Sequence, residues 1–378
     1  MKLIKKARPL IILLIISSVV VAEEDPYKTD GQQKWTVLKI ENKGGRVAWH
    51  KGKNHNLIAF DSITDVEMKN TDLFVMQPDG NAKENITARS IIPRGFIGQP
   101  AWHPSGKYLV LQAESNNSKH RFFNHMAWGI NNDLWIINKD GTEAKLIWSS
   151  SLNHAALHPH FNKDGTKIIF AQRTATGKSW RWIRRLNLGA GGENQWDGWN
   201  IHLADFDIDK RGKNMLSNHK TLSPNGRGFY ETHGFTDNGK FIYSFTPNGQ
   251  AYVDDIYVCD EDGTNVKKLI DSPATWDEHG IFSPSGKSMA FISSRGDKNW
   301  SAPKSRANTL RTELYLKRSG KIIQLTDFNK YKARKKRFLV SDYDWNSLGN
   351  KIVFQVAPLI GNRSESPELW MLTFSESQ

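Results

Sequence analysis

The sequence predicts an all-β fold, a six-bladed β-propeller built of four-stranded antiparallel blades. The first observation is a repeated phrase in which an aromatic residue precedes a polar turn ending in glycine, and an apolar run follows. Repeats with a period of several tens of residues indicate arrays or propellers. Five copies of the phrase begin at Trp102, Phe161, Phe235, Phe282 and Trp345.

A second phrase alternates with the first. A short apolar run leads into a turn that ends in Asp-Gly or Ser-Gly, and such a turn after alternating apolar residues is a strong hairpin signal. Two hairpins per repeat give four strands, which is one propeller blade. The copies run from Asp72 to Gly80, Asp133 to Gly141, Asp255 to Gly263 and Glu313 to Gly320.

The first and third repeats match the two phrases least well. Blade one depends on the short apolar runs 47–49 and 57–60, and the second half of blade three depends on residues 201–206. Residues 34–40 form an extra strand before blade one, and we expect it to pair with the last blade so that the ring closes without a free sheet edge. We therefore expect one propeller domain over residues 34–378, after a polar lead-in over residues 23–33.

Residues 1–22 have the pattern of a secretory signal. A basic start precedes a short apolar run, and Val20, Val21 and Ala22 offer a small-residue cleavage site. The run is shorter than the roughly 20 apolar residues that a membrane-spanning helix needs. We expect an exported protein, periplasmic or secreted, with no membrane span after the signal peptide is cleaved.

The chain is basic. Four of its 52 Lys and Arg residues lie in the signal, so 48 remain against 39 Asp and Glu, a net charge of +9. This charge favours acidic partners, and we expect an acidic polysaccharide or a protein partner, with the propeller itself a monomer. Because we expect an exported protein, nucleic acid is not an expected partner.

The single cysteine, Cys259, lies in an apolar run, which favours a buried and unreactive thiol.

Propeller geometry divides the loops between two faces. The tight turns share one face, whereas the loops between the second and third strands and the crossings between blades share the other. These irregular loops carry many arginines and tryptophans, which pair with carboxylates and stack on sugar rings. We predict a binding surface there; the alternative is a set of separate, solvated loops. The candidate ligand-binding residues are Arg121, Arg173, Trp180, Arg181, Trp182, Arg184, Arg185, Arg295 and Arg306.

Histidines recur at the start of several predicted inner strands, at the mouth of the central channel. They are His158, His160, His233 and His279. Neutral imidazoles that converge there can bind a divalent transition metal, with Asp277 and Glu278 as additional oxygen ligands. The alternative is that these polar side chains line a water-filled channel without a metal.

The repeats resemble the TolB-type β-propeller repeat, over roughly residues 34–374. This chain has no room for the α/β domain that precedes the propeller in TolB, so a role in the Tol system is not expected. Two tetrapeptides, 158–161 and 232–235, are also similar to segments of the oligogalacturonate lyases, propeller enzymes whose repeats supply histidine ligands to manganese. That resemblance implies a metal, manganese or another divalent transition metal, at His158 and His233.

Two functions follow from these patterns. The first is an exported propeller that binds an acidic ligand or partner on its basic, aromatic loop face without catalysis. The alternative is a metal-dependent polysaccharide (uronate) lyase or related carbohydrate-active enzyme with the histidine cluster at the channel mouth. The sequence names no catalytic base. The hydrolase elbow Gly-x-Ser-x-Gly, the phosphate-binding loop and the His-Glu-x-x-His zinc motif do not occur. Convergence of the histidines would favour the enzyme.

Overall fold

The structure is a computed structural model. It describes residues 35–50, 52, 56–65, 70–116, 129, 131–150, 154–174, 198–210, 215–247, 253–301, 309–330, 336–360 and 363–375. The predicted signal peptide and polar lead-in lie outside these residues. Throughout the described ranges the regular structure is β-strand, and none of their segments forms a helix long and apolar enough to cross a membrane.

The described strands form five antiparallel sheets, most of them built in sequence order. Three have four strands: β2–β5 (Val47–Trp49, Ile58–Ile63, Thr71–Met76, Glu84–Asn85), β6–β9 (Ile97–Trp102, Tyr108–Glu114, Asn132–Asn138, Ala144–Trp148) and β18–β21 (Asp277–Phe282, Ser288–Ser293, Glu313–Arg318, Lys321–Gln324).

The eight-stranded sheet contains two four-strand arrays. They are β10–β13 (Ala155–Phe161, Lys167–Arg173, Trp199–Phe206, Leu216–Leu222) and β14–β17 (Gly228–Phe235, Phe241–Pro247, Asp255–Cys259, Lys267–Lys268). A single residue pair, Trp199 with Gly228, joins β12 to β14. The all-β class and the antiparallel four-stranded unit are confirmed, and the arrangement is that of a propeller.

The fifth sheet joins the two ends of the chain. It contains β1 (Trp35–Glu41), β22 (Lys336–Trp345), β23 (Lys351–Ile360), β24 (Arg363–Ser364) and β25 (Glu368–Phe374). The amino-terminal strand β1 pairs antiparallel with the carboxy-terminal strand β25, with Trp35 opposite Phe374. The predicted closure of the ring by the first strand is therefore confirmed.

Large aromatic side chains fill the spaces between neighbouring sheets. Trp345 on β22 is completely buried, and its indole N–H donates to the carbonyl of Ile281 on β18, 3.2 Å away. Trp102 on β6 makes the same kind of bond to Ala48 on β2. A fully buried large apolar side chain contributes about 1.5–3 kcal/mol. Trp345, and to a smaller extent the half-buried Trp102, therefore stabilises the contact between its blade and the previous one.

The innermost strand of most sheets contains a β-bulge. The pairing register shifts at residues 98–101 of β6, 157–160 of β10, 232–235 of β14, 278–281 of β18 and 340–343 of β22. Three bulge residues that are not glycine have left-handed φ angles of 50–54°, namely Gln99, His158 and His279. Such a conformation is uncommon for these residue types, and bulges of this kind re-aim a side chain.

Cys259 lies on β16 and is completely buried. Burial raises the pKa of its thiol to about 12. The thiol is therefore protonated at neutral pH and has the unreactive character that its sequence context predicts.

Candidate metal centre

The bulges bring equivalent positions of different blades together. The residue three before the repeated aromatic is Arg46, Gln99, His158, Thr232, His279 or Asp342, depending on the blade. All of these except Thr232 line a single open cavity of about 390 Å³, together with His160 and His233. The same strand position, placed in most blades by a β-bulge, therefore supplies most of the polar side chains that line this cavity.

Three histidines and one glutamate meet at one side of the cavity. His158, Glu231, His233 and His279 each offer one ligand atom, and these four atoms lie within 4.8 Å of one another. Nε2 of His158 is 2.5 Å from Oε1 of Glu231, and Nε2 of His279 is 3.0 Å from the same oxygen. The structure thus brings together three of the four histidines that the sequence singles out.

Neighbouring blades hold these residues in place. The backbone N–H of His158 donates to Oε1 of Gln99 at 3.0 Å, and the hydroxyl of Thr232 donates to the His158 carbonyl at 2.6 Å. The hydroxyl of Tyr343 donates to the carbonyl of His279 at 2.6 Å. Each left-handed histidine is therefore fixed by a side chain from an adjacent inner strand, which offsets the cost of its strained backbone.

Glu231 is held as a carboxylate. Burial alone would raise its pKa, but His158, His279 and His233 hold the pKa of this carboxyl well below its usual range. Burial lowers the pKa of His233 well below its usual value, and it also lowers the pKa of His279. For His158, burial acts in the same direction, but the charge and hydrogen bond of Glu231 outweigh it and raise the pKa.

The donor set fits a divalent transition metal. Imidazole nitrogen suits zinc, copper, iron and nickel, and carboxylate oxygen suits manganese. Nδ1 of His279 is buried and has no hydrogen-bond partner among the residues that the structure describes. Nε2 of His158 has a second neighbour, Nε2 of Gln99 at 2.6 Å, besides Glu231. A single ring nitrogen cannot donate to the carboxylate and accept from the amide at once, so protons alone do not satisfy this cluster.

Another part of the cavity wall, next to His158, carries charged side chains. The guanidinium of Arg46 is 3.3 Å from the carboxylate of Asp61 and lies over the ring of Phe96. Asp342 has one carboxylate oxygen 3.9 Å from Nε2 of His158. Burial opposes its ionisation, but His279, His158 and Arg46 hold the pKa of Asp342 below its usual value. This wall therefore carries one cation and one anion beside the amide of Gln99.

The other predicted metal ligands are not among the four residues whose ligand atoms converge. His160 lines the same cavity, but its ring centroid is 6.5 Å from that of His158 and it is outside the group whose ligand atoms converge. Asp277 is completely buried and accepts from Arg295. The carboxylate of Glu278 accepts from the indole of Trp276, and burial together with the charge of Glu231 raises its pKa well above its usual value.

Two of the predicted ligand-binding arginines are described. Arg173 ends β11 and is 2% exposed. Arg295 pairs with Asp277 at 3.1 Å and lies over the rings of Phe291 and Tyr315. The remaining candidates, Arg121, Trp180, Arg181, Trp182, Arg184, Arg185 and Arg306, lie outside the described residues. The binding surface on the loop face stays a prediction.

Several residues of the cavity were missed by the sequence reasoning. Arg46, Gln99 and Asp342 occupy the same strand position as His158 and His279, so counting three residues back from every repeated aromatic would have found them. Glu231 follows no such rule. It is one residue before this position in its blade, and only the fold shows that it faces the histidines.

Comparisons with known proteins give structural matches only. No protein-family model and no curated protein matches the sequence. TolB from Acinetobacter baumannii has 17% sequence identity and a TM-score of 0.50, over 85% of this chain and 64% of the TolB chain. An oligogalacturonate lyase in complex with manganese has 10% identity and a TM-score of 0.49, over 92% and 95% of the two chains. An acylaminoacyl peptidase has 12% identity and a TM-score of 0.47, over 85% and 45%.

The fold is a TolB-like β-propeller. At this level of identity the likeness to TolB establishes the fold and leaves the activity open. The chain spans less than two thirds of the TolB chain and less than half of the peptidase chain.

Proposed function

We propose that His158, Glu231, His233 and His279 bind a divalent transition metal, and that the protein uses this metal to act on an acidic polysaccharide. The observation that carries the proposal is the convergence of four ligand atoms within 4.8 Å in a cavity at the centre of the ring. Three imidazoles and a carboxylate form a set that iron, manganese or zinc would accept.

The part of the cavity wall formed by Arg46, Gln99 and Asp342 supports an acidic ligand. Arg46 can pair with a carboxylate of the ligand, and its interaction with Asp61 at 3.3 Å holds its guanidinium at the edge of the cavity. Gln99 and Asp342 offer hydrogen bonds to hydroxyl groups. One acidic sugar residue is the kind of group that this combination would accept.

The reaction that we propose is elimination from a uronate. A bound metal would polarise the uronate carboxylate and acidify the carbon-bound proton beside it. A base removes that proton, the bond from the neighbouring carbon to the glycosidic oxygen breaks, and the leaving oxygen takes up a proton. Asp342, which is held ionised beside His158, is our candidate for the base. The similarity of residues 158–161 and 232–235 to lyase segments supports the same reaction.

The experiment is metal analysis combined with an activity assay. Purified protein and the His158→Ala/His233→Ala variant would be compared for metal content and for ultraviolet absorbance of unsaturated products from polygalacturonate. The His154→Ala variant, altered outside the cluster, is the matched control. We expect about one metal ion per chain in the wild type and the control, and neither metal nor product in the double variant. Absence of metal after incubation with manganese or zinc would contradict the proposal.

A second candidate is a metal-free propeller that only binds its acidic ligand. The hydrogen bonds within the cluster favour it, because Glu231 accepts from two histidines and His233 contacts the hydroxyl of Ser244 at 2.7 Å. This candidate predicts binding of polygalacturonate by protein that takes up no metal. Metal uptake without turnover would instead leave a metal-dependent binding protein.

We also infer that the ring has six blades. The support is that the eight-stranded sheet consists of two arrays of four strands joined by one residue pair. Export remains part of the proposal, since residues 1–22 have a signal pattern. Amino-terminal sequencing of protein from the native host would test it, and a chain that retains Met1 would contradict cleavage.

A further inference from the structure

A second pair of histidines lies on the third four-strand array, apart from the channel. Nε2 of His202 on β12 is 3.0 Å from Nδ1 of His219 on β13. His202 is 3% exposed, whereas His219 is exposed. The pair is therefore buried on one side and open to solvent on the other, as a ligand-exchanging metal site requires.

A neighbouring amide fixes the orientation of the buried ring. Nδ1 of His202 is 2.9 Å from Oε1 of Gln172 on β11. Because an amide oxygen only accepts, the N–H of His202 is at Nδ1, and its Nε2 presents a lone pair toward His219. Metal-ligating histidines commonly have such a partner on the other ring nitrogen.

The backbone of β13 is irregular where it presents His219. The pairing of β12 with β13 shifts register between Leu203 and Asp205. Asn218, next to His219, has a left-handed φ of 51°, and its amide donates to the carboxylate of Asp205 at 2.7 Å. The bulge is thus held in place by a side-chain bond, and it sets the side chain of His219 against His202.

We propose that His202 and His219 form a binding site for Cu(II), separate from the channel centre. Two nitrogens at metal–nitrogen distances of about 2.05 Å are about 2.9 Å apart on adjacent corners of a square and about 3.35 Å apart in a tetrahedron. The two nitrogens are hydrogen-bonded to each other at 3.0 Å, and because this is close to the square value, a Cu(II) ion that replaces the proton between them would leave their separation nearly unchanged. Square-planar coordination by nitrogen is typical of Cu(II), whereas Zn(II) prefers a tetrahedron.

The pair is reached from solvent through the exposed His219, and aromatic rings flank it. The ring of Trp148 on β9 lies 4.5 Å from that of His202 and 5.7 Å from that of His219, between centroids. The ring of Phe170 stacks on that of His202, with 4.7 Å between the centroids. Two protein ligands leave room for water or for a donor group from another molecule, so the site would bind copper reversibly.

The test is calorimetric titration of Cu(II) and Zn(II), with electron paramagnetic resonance of the copper form. The protein would carry His158→Ala and His233→Ala, so that the channel centre does not contribute. We expect one Cu(II) per chain, bound at least about tenfold more tightly than Zn(II), with hyperfine coupling to two nitrogens. His219→Ala in the same background should abolish this binding, and His154→Ala should leave it unchanged.

Two results would overturn the proposal: no stoichiometric uptake of Cu(II), or equal uptake after His219→Ala. If the channel variant does not fold, His219→Ala alone replaces it, because this residue is exposed. Its copper stoichiometry should then fall by one relative to the wild type, and an unchanged stoichiometry would refute the site. Because the channel histidines are intact in that protein, failure of the copper site and failure of the channel metal are distinguishable.

Discussion

The two ends of the inner strands obey different constraints. At the turn end, the blades repeat one packing device: the ring of His50 lies against Gly106, and the ring of His103 lies against Gly165, so that a Cβ on either glycine would be 2.2 Å from an imidazole nitrogen. At the opposite end of these strands, the bulge end, the blades share a backbone conformation but differ in their side chains. The turn end therefore holds blades together, while the bulge end lets each blade contribute its own chemistry to one cavity.

The largest loss of stability is expected from substitutions at the turn end of the inner strands. Gly165→Ala places a methyl group 2.2 Å from Nε2 of His103 at a φ of 71°, whereas Gly286→Ala meets no atom within 4 Å at a φ of 68°. The left-handed conformation alone costs about 1–2 kcal/mol for alanine. We expect Gly286→Ala to lose that amount in urea unfolding and Gly165→Ala to lose about 1–3 kcal/mol more, from overpacking. Equal losses would show that the histidine contact between blades does not matter.

A smaller loss of stability is expected at the bulge end, where a substitution should also weaken metal binding. Thr232→Val removes the hydroxyl that donates to the His158 carbonyl, and Thr312→Val removes a similar buried hydroxyl bond to Val340. Each should cost about 1–3 kcal/mol of unfolding free energy. Only Thr232→Val should also weaken metal binding, by about 10–100-fold, since residues that orient a ligand have such effects. Equal metal affinity in both variants would mean that Thr232 does not position His158.

The smallest expected effect is a change in how the stability of the protein depends on pH. His103 is buried against the ring of Phe161, at 5.0 Å between centroids. Burial lowers its pKa from the ordinary value of 6.5. A histidine that is harder to protonate when folded stabilises the protein fully above pH 6.5, and this stabilisation is lost as the pH falls below that value. In thermal unfolding, His103→Asn should therefore lose less stability than the wild type between pH 7 and about pH 5. Parallel curves would assign acid sensitivity to other groups.

The sequence predicts the scaffold better than the site. Regular phrases with glycine turns define the hairpins because turn chemistry is local. The sequence predicts a ring-closing strand over residues 34–40 because a free edge is unfavourable. The observed strand, Trp35–Glu41, pairs with β25 as predicted. The clustering of His158, His233 and His279 was predicted because all three lie near the start of a predicted inner strand. Glu231 could not be predicted, because it precedes the bulge of β14 and only the assembled fold brings it to histidines of other strands.

The most direct test of the central claim is a crystal structure of the purified protein, with diffraction measured at the absorption edge of the metal found in solution. We expect one anomalous peak about 2.0–2.2 Å from nitrogens of His158, His233 and His279. The carboxylate of Glu231 should bind the same ion. No peak after soaking with manganese or zinc, with His158 still bonded directly to Glu231, would contradict the metal centre and leave a channel lined by hydrogen-bonded histidines.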